Sequence, residues 1–580
     1  MRLAIAFALT FASCLASALA QDPPTALAWR VAPDEVVLYR TTDKAAPQPL
    51  AGYSLVAPGF ALTGRDLGTT GEDLPIALPL ELAIGLALRL PDRVVPTGKT
   101  WRIEHRVPGT MAYAGIRASG QGKVTGPGRW KDQDTLVLEL ALKLTADGAG
   151  PMRLASGNVK ATLHYDPVSG TIARGDTSYA LELVFAAAVA GGQKIPPQKH
   201  AGELAFEREA ILPLEGDPLQ QRINKAIDAG VAALVGQQQP DGAWAPLGED
   251  LAGATALALY ALGKSGVGVD HAAMSRGFGW LARQDPSRTY GVALTAMAIE
   301  ARYSPDAAKT EMMSPKERAA SLEGLPAKLS VVEKAQVAEV AGWLRANGRD
   351  GRWWYPMHAG PGADPAAGYD NSNSQMAALG LLAAARCGAP VEPATWKAVA
   401  RHWLLDQERG GPGWALTADK PGSKETNTRA RGWGYMQLAG DATGGTMGYG
   451  SMTAGGVGSL AIARARLAAK GGLDPALANG IDLAIQDGLA WLERHYTVQT
   501  NPRYFEWHEY YLYGLERALT LTGRTRLAGR DWYREGSAVL VARQRATGDW
   551  GFHPYQTAMA LLFLRRATMG VALTEAPVGD

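Results

Sequence analysis

A unit recurs six times between Leu234 and Trp550, and nothing else in this 580-residue chain restricts its fold as much. Each copy is anchored on a polar residue. A bulky apolar residue lies four positions before it, a glycine four after and an aromatic ring six after. Leu234, Gln238, Gly242 and Trp244 fit, as do Trp343, Asn347, Gly351 and Trp353, and Leu540, Gln544, Gly548 and Trp550. Trp280, Gln284 and Tyr290 fit with Arg288 in the glycine's place; Trp403, Gln407, Gly411 and Trp414 fit with one extra residue; Trp491 and His495 keep only the first part. The anchors at 238, 284, 347, 407, 495 and 544 stand 46, 63, 60, 88 and 49 residues apart, room for one helical hairpin per unit plus loops of variable length.

The pattern predicts, in each unit, an amphipathic helix ending at the anchor, a break at glycine, and a second, more apolar helix. The second helices are expected at 253–262, 292–301, 372–386, 453–467, 508–521 and 556–567. Segments such as 254–259 and 559–564 are apolar on nearly every side and must be enclosed. Six amphipathic helices around six apolar ones make an α6/α6 toroid, expected at 219–572 after a linker at 213–222. Two long insertions interrupt it: 303–330, read as a polar surface loop, and the glycine-rich 411–450, read as a lid or binding loop leading to the start of a second helix.

The preceding residues, 25–212, have a different period. Leucine occupies every even position from 136 to 144, the pattern of a half-buried antiparallel strand. Residues 158–165 and 179–189 read as further strands, 166–170 as a turn, 81–90 as a short helix, and a new strand enters at Trp101. This antiparallel β domain shows no cluster of acids, histidines or hydroxyls that reads as chemistry. Residues 1–20 have the charged start, apolar run and Ala-x-Ala end of a signal peptide, so export to a periplasm or the exterior is expected, with lipidation at Cys14 as the alternative. Cleavage leaves Cys387 as the one cysteine and no intrachain disulfide. With 58 basic and 56 acidic residues the charge gives no reason to expect nucleic acid, and no later stretch is apolar enough for a membrane span.

The Gln-x3-Gly-x-Trp unit, as at Gln238–Trp244 and Gln544–Trp550, resembles the repeat of the squalene cyclase and protein prenyltransferase superfamily, over roughly residues 219–569. The resemblance implies the toroid and a structural role for the Gln and Trp residues, which tie helix ends together. It does not bring that superfamily's chemistry. Its cyclases protonate alkenes with an Asp-rich motif, and this chain has no Asp-Asp pair; Asp370 is followed by Asn371. Its prenyltransferases hold zinc with Asp, Cys and His, and Cys387 stands about 24 Å along its helix from Asp370. The Gly-Cys-Gly-Glu-Gln of thioester-bearing toroids is absent too. No cofactor and no metal site are expected.

In a toroid the second helices run parallel, and their positive N-termini gather at one mouth that favours anions or oxygen-rich ligands. The ligand-binding candidates there are Asp370, Asn371, Asn373, Gln375, Arg431, Trp433, Ser451, His508 and Tyr555; Asp370, Glu506, His508, Tyr510 and Tyr511 are the candidates for catalysis. Several of these are also ordinary helix caps. The leading expectation is a protein that binds a small hydrophobic ligand, a glycan or a partner at this mouth without cyclase activity. A glycan-acting enzyme of the polysaccharide-lyase type, using Asn, His and Tyr with Arg429 or Arg431, is the alternative. A divergent isoprenoid cyclase or transferase is the third reading.

Overall fold

The computed structural model describes residues 26–27, 35–43, 52–56, 90–91, 93–107, 114–148, 152–185, 196–213, 216–246, 248, 250–304, 307–355, 369–419, 426–436, 447–504 and 507–568. The signal peptide at 1–20, the helix expected at 81–90 and Glu506 lie outside them. The chain divides into two compact units, Met1–Leu212 and Pro213–Asp580. The first helix begins at Asp217, so much of the expected linker is helical.

In the first unit, β1 (Ala26–Leu27) pairs with β4 (Arg93–Val94), and eight strands form one sheet. Along the chain these are β2 (Glu35–Asp43), β3 (Gly52–Val56), β5 (Thr100–Val107), β6 (Gly115–Trp130), β7 (Gln133–Asp147), β8 (Met152–Asp166), β9 (Thr171–Phe185) and β10 (Gln198–Pro213). Strands β5 to β10 follow one another as an antiparallel meander, and β10 then meets β2. The leucine alternation in β7 buries Leu138, Leu140, Leu142 and Leu144 on one face. Leu163, Ala161 and Val159 of β8 stand directly opposite the first three. Each such leucine contributes about 2 kcal/mol by leaving water. On the other side β6 offers Gly122, where a Cβ would lie 2.1 Å from the Trp101 indole, so the glycine makes room for that ring in the core.

The second unit is helical. Its hairpins are α1 (Asp217–Gly236) with α2 (Leu251–Lys264), and α3 (Ala272–Leu281) with α4 (Thr289–Tyr303). Short helices α5 (Ala307–Met312), α6 (Pro315–Glu323) and α7 (Leu325–Lys328) follow, then α8 (Val331–Asn347) with α9 (Asn371–Arg386). Last come α10 (Pro393–Asp406) with α11 (Gly450–Ala469), α12 (Pro475–Arg494) with α13 (His508–Leu521), and α14 (Trp532–Arg543) with α15 (Pro554–Leu564). Two expectations are corrected. The 303–330 segment is largely helical: α5, α6 and α7 lie in it, and Ser314 begins α6 with a capping box to Glu317. The 411–450 insertion carries a hairpin, β11 (Gly413–Leu416) with β12 (Thr426–Arg429).

The second helices are enclosed, as their composition requires: every residue from Asn371 to Ala384 of α9 is buried. They pack in the order α2, α4, α9, α11, α13, α15, and α15 packs against α2 again. The repeat residues set this arrangement. Trp244, Trp353, Trp433 and Trp550 each donate their indole N–H to a carbonyl at the end of the first helix (Leu234, Leu344, Trp403, Leu540) at 2.7–2.8 Å. Their backbone N–H groups donate to hydroxyls on the second helix (Thr255, Ser374, Thr453, Thr557) at 3.1–3.3 Å. The anchors reach sideways. Gln238 donates to Gly242 and Ala273, Gln407 to Arg431 and Ala484, and Gln544 to Gly548 and Ala226, so each ties its own turn to another first helix. At Gly242 and Gly548 φ is +100° and +88°, and a Cβ would stand 2.6 and 2.7 Å from a backbone oxygen of the adjoining helix; only glycine fits.

Candidate functional site

The joints leave the first residues of the second helices level with one another, and the side chains there interlock. Tyr290 on α4 shares a hydrogen bond with Ser372 on α9, and its hydroxyl lies 3.1 Å from that of Tyr510 on α13. Tyr510 donates to Ser372 at 3.3 Å and accepts from the Gln375 amide. In the packing order α4 and α13 are separated by two helices either way round, yet their tyrosines meet. Tyr355 stacks on Tyr290 with rings 6.1 Å apart and 4° from parallel. Tyr435 bonds Tyr355 and the carboxylate of Asp370.

Asp370 caps α9, accepting the Asn373 backbone N–H at 2.6 Å and its side-chain amide at 2.7 Å. Burial pushes its carboxyl up to about 6, against the hydrogen bonds from Asn373 and Tyr435. Burial likewise pushes Tyr510 up to about 12, so its hydroxyl stays protonated at neutral pH. The hydroxyls of Tyr290, Ser372 and Tyr510 can each donate or accept by rotation.

Below the hydroxyls the axis is polar and filled. Arg517 on α13 donates from Nη2 to the Gln375 Oε1 at 3.0 Å and lies over the Tyr513 ring at 4.3 Å. Tyr513 donates to the Tyr260 hydroxyl at 3.1 Å. Gly455 of α11 leaves the space that the Gln375 amide fills, since a Cβ there would be 2.6 Å from its Oε1.

Of the residues singled out from sequence, Asp370, Asn373, Gln375 and Tyr510 belong to this cluster; Glu506 lies outside the described residues, and the side chains of the other described candidates do not join it. Asn371 is a bolt: it donates to Asp406 and to the Gly434 carbonyl, and its Oδ1 lies 2.8 Å from the His402 Nε2. Arg431 pairs with Asp487, its Nε donating at 2.6 Å. Ser451 is held by Asn501. Trp433, expected as a lid residue, is the buried repeat tryptophan of its unit, and Trp414, expected in that role, bonds Glu493 instead. The β11–β12 hairpin has pushed the joint nineteen positions along the chain. Tyr511 is fully buried and donates to the Thr497 carbonyl.

His508, a candidate for both binding and catalysis at the mouth, has both its nitrogens occupied. Nε2 donates to the Val498 carbonyl at 2.9 Å and Nδ1 accepts from Arg543 at 2.6 Å. Burial first, then the Arg543 charge, holds its pKa below the usual range, so the ring is neutral packing between helix ends. Tyr555 sits to one side with its ring 5.5 Å from Trp507, a half-exposed residue in the left-handed backbone region. Sequence reasoning missed Tyr355 and Arg517: one follows a repeat tryptophan, the other looks like the solvated arginine of an amphipathic helix. Among the described residues no group of three or more His, Cys, Asp and Glu is placed to hold a metal ion. No helix there is long and apolar enough to cross a membrane. Neither a protein-family model nor a curated protein matches the chain.

Proposed function

We propose that the helical unit is an α6/α6 toroid of the squalene cyclase and prenyltransferase type, in an exported protein, and that its mouth binds a polyhydroxylated ligand without cyclase chemistry. The ring reading is supported by the packing order that returns to α2, and by Gln544, which ties the last first-helix to the first. The observation that carries binding is the Tyr290–Ser372–Tyr510 hydroxyl cluster, ringed by Tyr355 and Tyr435 at the helix starts. Hydroxyls, ring faces and positive helix ends suit the alcohol groups and apolar faces of a glycan. A deep hydrocarbon cavity is disfavoured, because Gln375, Arg517, Tyr513 and Tyr260 fill the axis. A glycan-acting enzyme is the second reading, favoured by the Asp370 carboxyl, which exchanges its proton near pH 6 beside two tyrosines.

The test is mass spectrometry of small molecules extracted from the mature protein, with oligosaccharide titrations of wild type and of a Tyr290→Phe, Ser372→Ala double variant. An oligosaccharide that binds wild type and is weakened about tenfold or more in the variant is the expected result. A stoichiometric isoprenoid, or sugar binding indifferent to these hydroxyls, overturns the reading.

A further inference from the structure

Arg517 is the one feature of the axis that the hydroxyl cluster does not explain. The residue is 4% exposed, so its guanidinium has left water. Among the described residues no carboxylate stands within ion-pair distance of it, and its Nη1 has no hydrogen-bond partner. The acid beside it in sequence, Glu516, feels its charge only from beyond ion-pair distance: its carboxylate is turned to Thr568, which donates its backbone N–H at 3.0 Å and its hydroxyl. A buried arginine with no carboxylate in contact is costly. What fills the counter-ion's place is neutral: the Gln375 amide oxygen, with Tyr510 held against the same amide.

We propose that the ligand of this mouth bears a carboxylate, and that Arg517 receives it after Gln375 and Tyr510 give up their mutual hydrogen bond. This rests on the mouth-binding reading and narrows it to polyhydroxylated acids, the chemistry of a uronic acid. The charge sets the class. One unpaired guanidinium is balanced by one negative charge, and its planar donors match a carboxylate's two oxygens. Tyr510 and Ser372, freed from each other, bond the neighbouring hydroxyls of the ring.

The experiment titrates the mature protein by calorimetry with a galacturonate trimer, its methyl ester, and inorganic phosphate. Wild type should bind the acid at least about tenfold more tightly than the ester. Arg517→Gln should erase that preference, binding acid and ester with equal affinity. Gln375→Glu supplies an internal carboxylate of the same shape; it should raise the melting temperature and abolish acid binding. Should Arg517→Gln fail to fold, Gln375→Glu decides alone, and undiminished acid binding by it sinks the proposal. Equal affinity of wild type for acid and ester also overturns it while leaving mouth binding intact. Binding of neither sugar overturns the mouth reading itself, and phosphate bound in preference to the acid overturns the carboxylate assignment.

Discussion

The joints of the helical unit and its axis are built from similar residues under opposite rules. At the joints, tryptophan and glutamine side chains recur with the same partners at nearly the same distances, from Trp244 to Trp550. On the axis the contacts do not recur: Tyr290, which stands in the aromatic place of the second unit, bonds Ser372 and Tyr510 instead of a first-helix carbonyl, Gln375 and Arg517 each come once, and a buried cationic nitrogen is left without an acceptor. A polar group repeated and satisfied is part of how the fold closes. A buried polar group that is left unsatisfied costs stability, and on the axis that cost is the ground for the carboxylate proposal.

The largest effect expected from breaking this contrast is at Trp433. Replacing it with alanine empties a fully buried indole site and orphans the Trp403 carbonyl, which should cost about 3–5 kcal/mol. Trp414→Ala loses one bond to Glu493 from a partly exposed ring and should cost about 1 kcal/mol. Urea denaturation of the two variants checks the reassignment. Equal losses would return Trp414 to the joint.

That reassignment shows where the sequence was legible. The alternating leucines of β7 and the Gln-x3-Gly-x-Trp spacing are local patterns with a local cause, and both specified real elements. The fourth unit failed because its hairpin lies between the glycine and the tryptophan, and a spacing rule accepts the first aromatic it meets. Within 303–330 one helix has a local signal, the Ser-x-x-Glu box at Ser314. His508 and Arg517 are a different case. On its own helix each is a polar residue among apolar ones, and its role is fixed by residues 35 and 142 positions away, Arg543 for one and Gln375 for the other. No pattern within a helix distinguishes the satisfied histidine from the unsatisfied arginine.

Asp370 tests the axis through pH. Its folded pKa of about 6 lies above the ordinary carboxylate value of 3.8, so the folded state holds its proton more tightly than the unfolded chain does. The stabilisation this gives is fully present below pH ~4 and is lost as pH rises through 6. Asp370→Asn keeps an N-cap acceptor but no titrating proton. The stability of wild type relative to this variant should therefore fall by about 2–3 kcal/mol between those limits and stay level above them. Chemical denaturation at stepped pH reads the difference, and a flat profile would mean that the carboxyl is ionised at the mouth throughout.

The smallest effect bears on whether the joints close a ring. Gln544 donates to the Gly548 carbonyl of its own turn and to the Ala226 carbonyl of α1, more than 300 residues earlier in the chain. Its counterpart Gln238 joins neighbouring units in the same way, to Gly242 and Ala273. In a closed ring both bear the same load, and Gln544→Ala and Gln238→Ala should each cost about 1–2 kcal/mol, since each removes two hydrogen bonds that tie its turn to a neighbouring first helix. In an open stack of hairpins the terminal units contact one neighbour only and open first, so the Gln544 joint would already be broken in much of the ensemble that unfolds. Amide hydrogen exchange in α1 and α15 separates the two. Protection equal to that of α9 and α11 in wild type, lost together in Gln544→Ala, is the expected signature of closure. Weak protection of α1 and α15 in wild type, unchanged by the substitution, would open the ring.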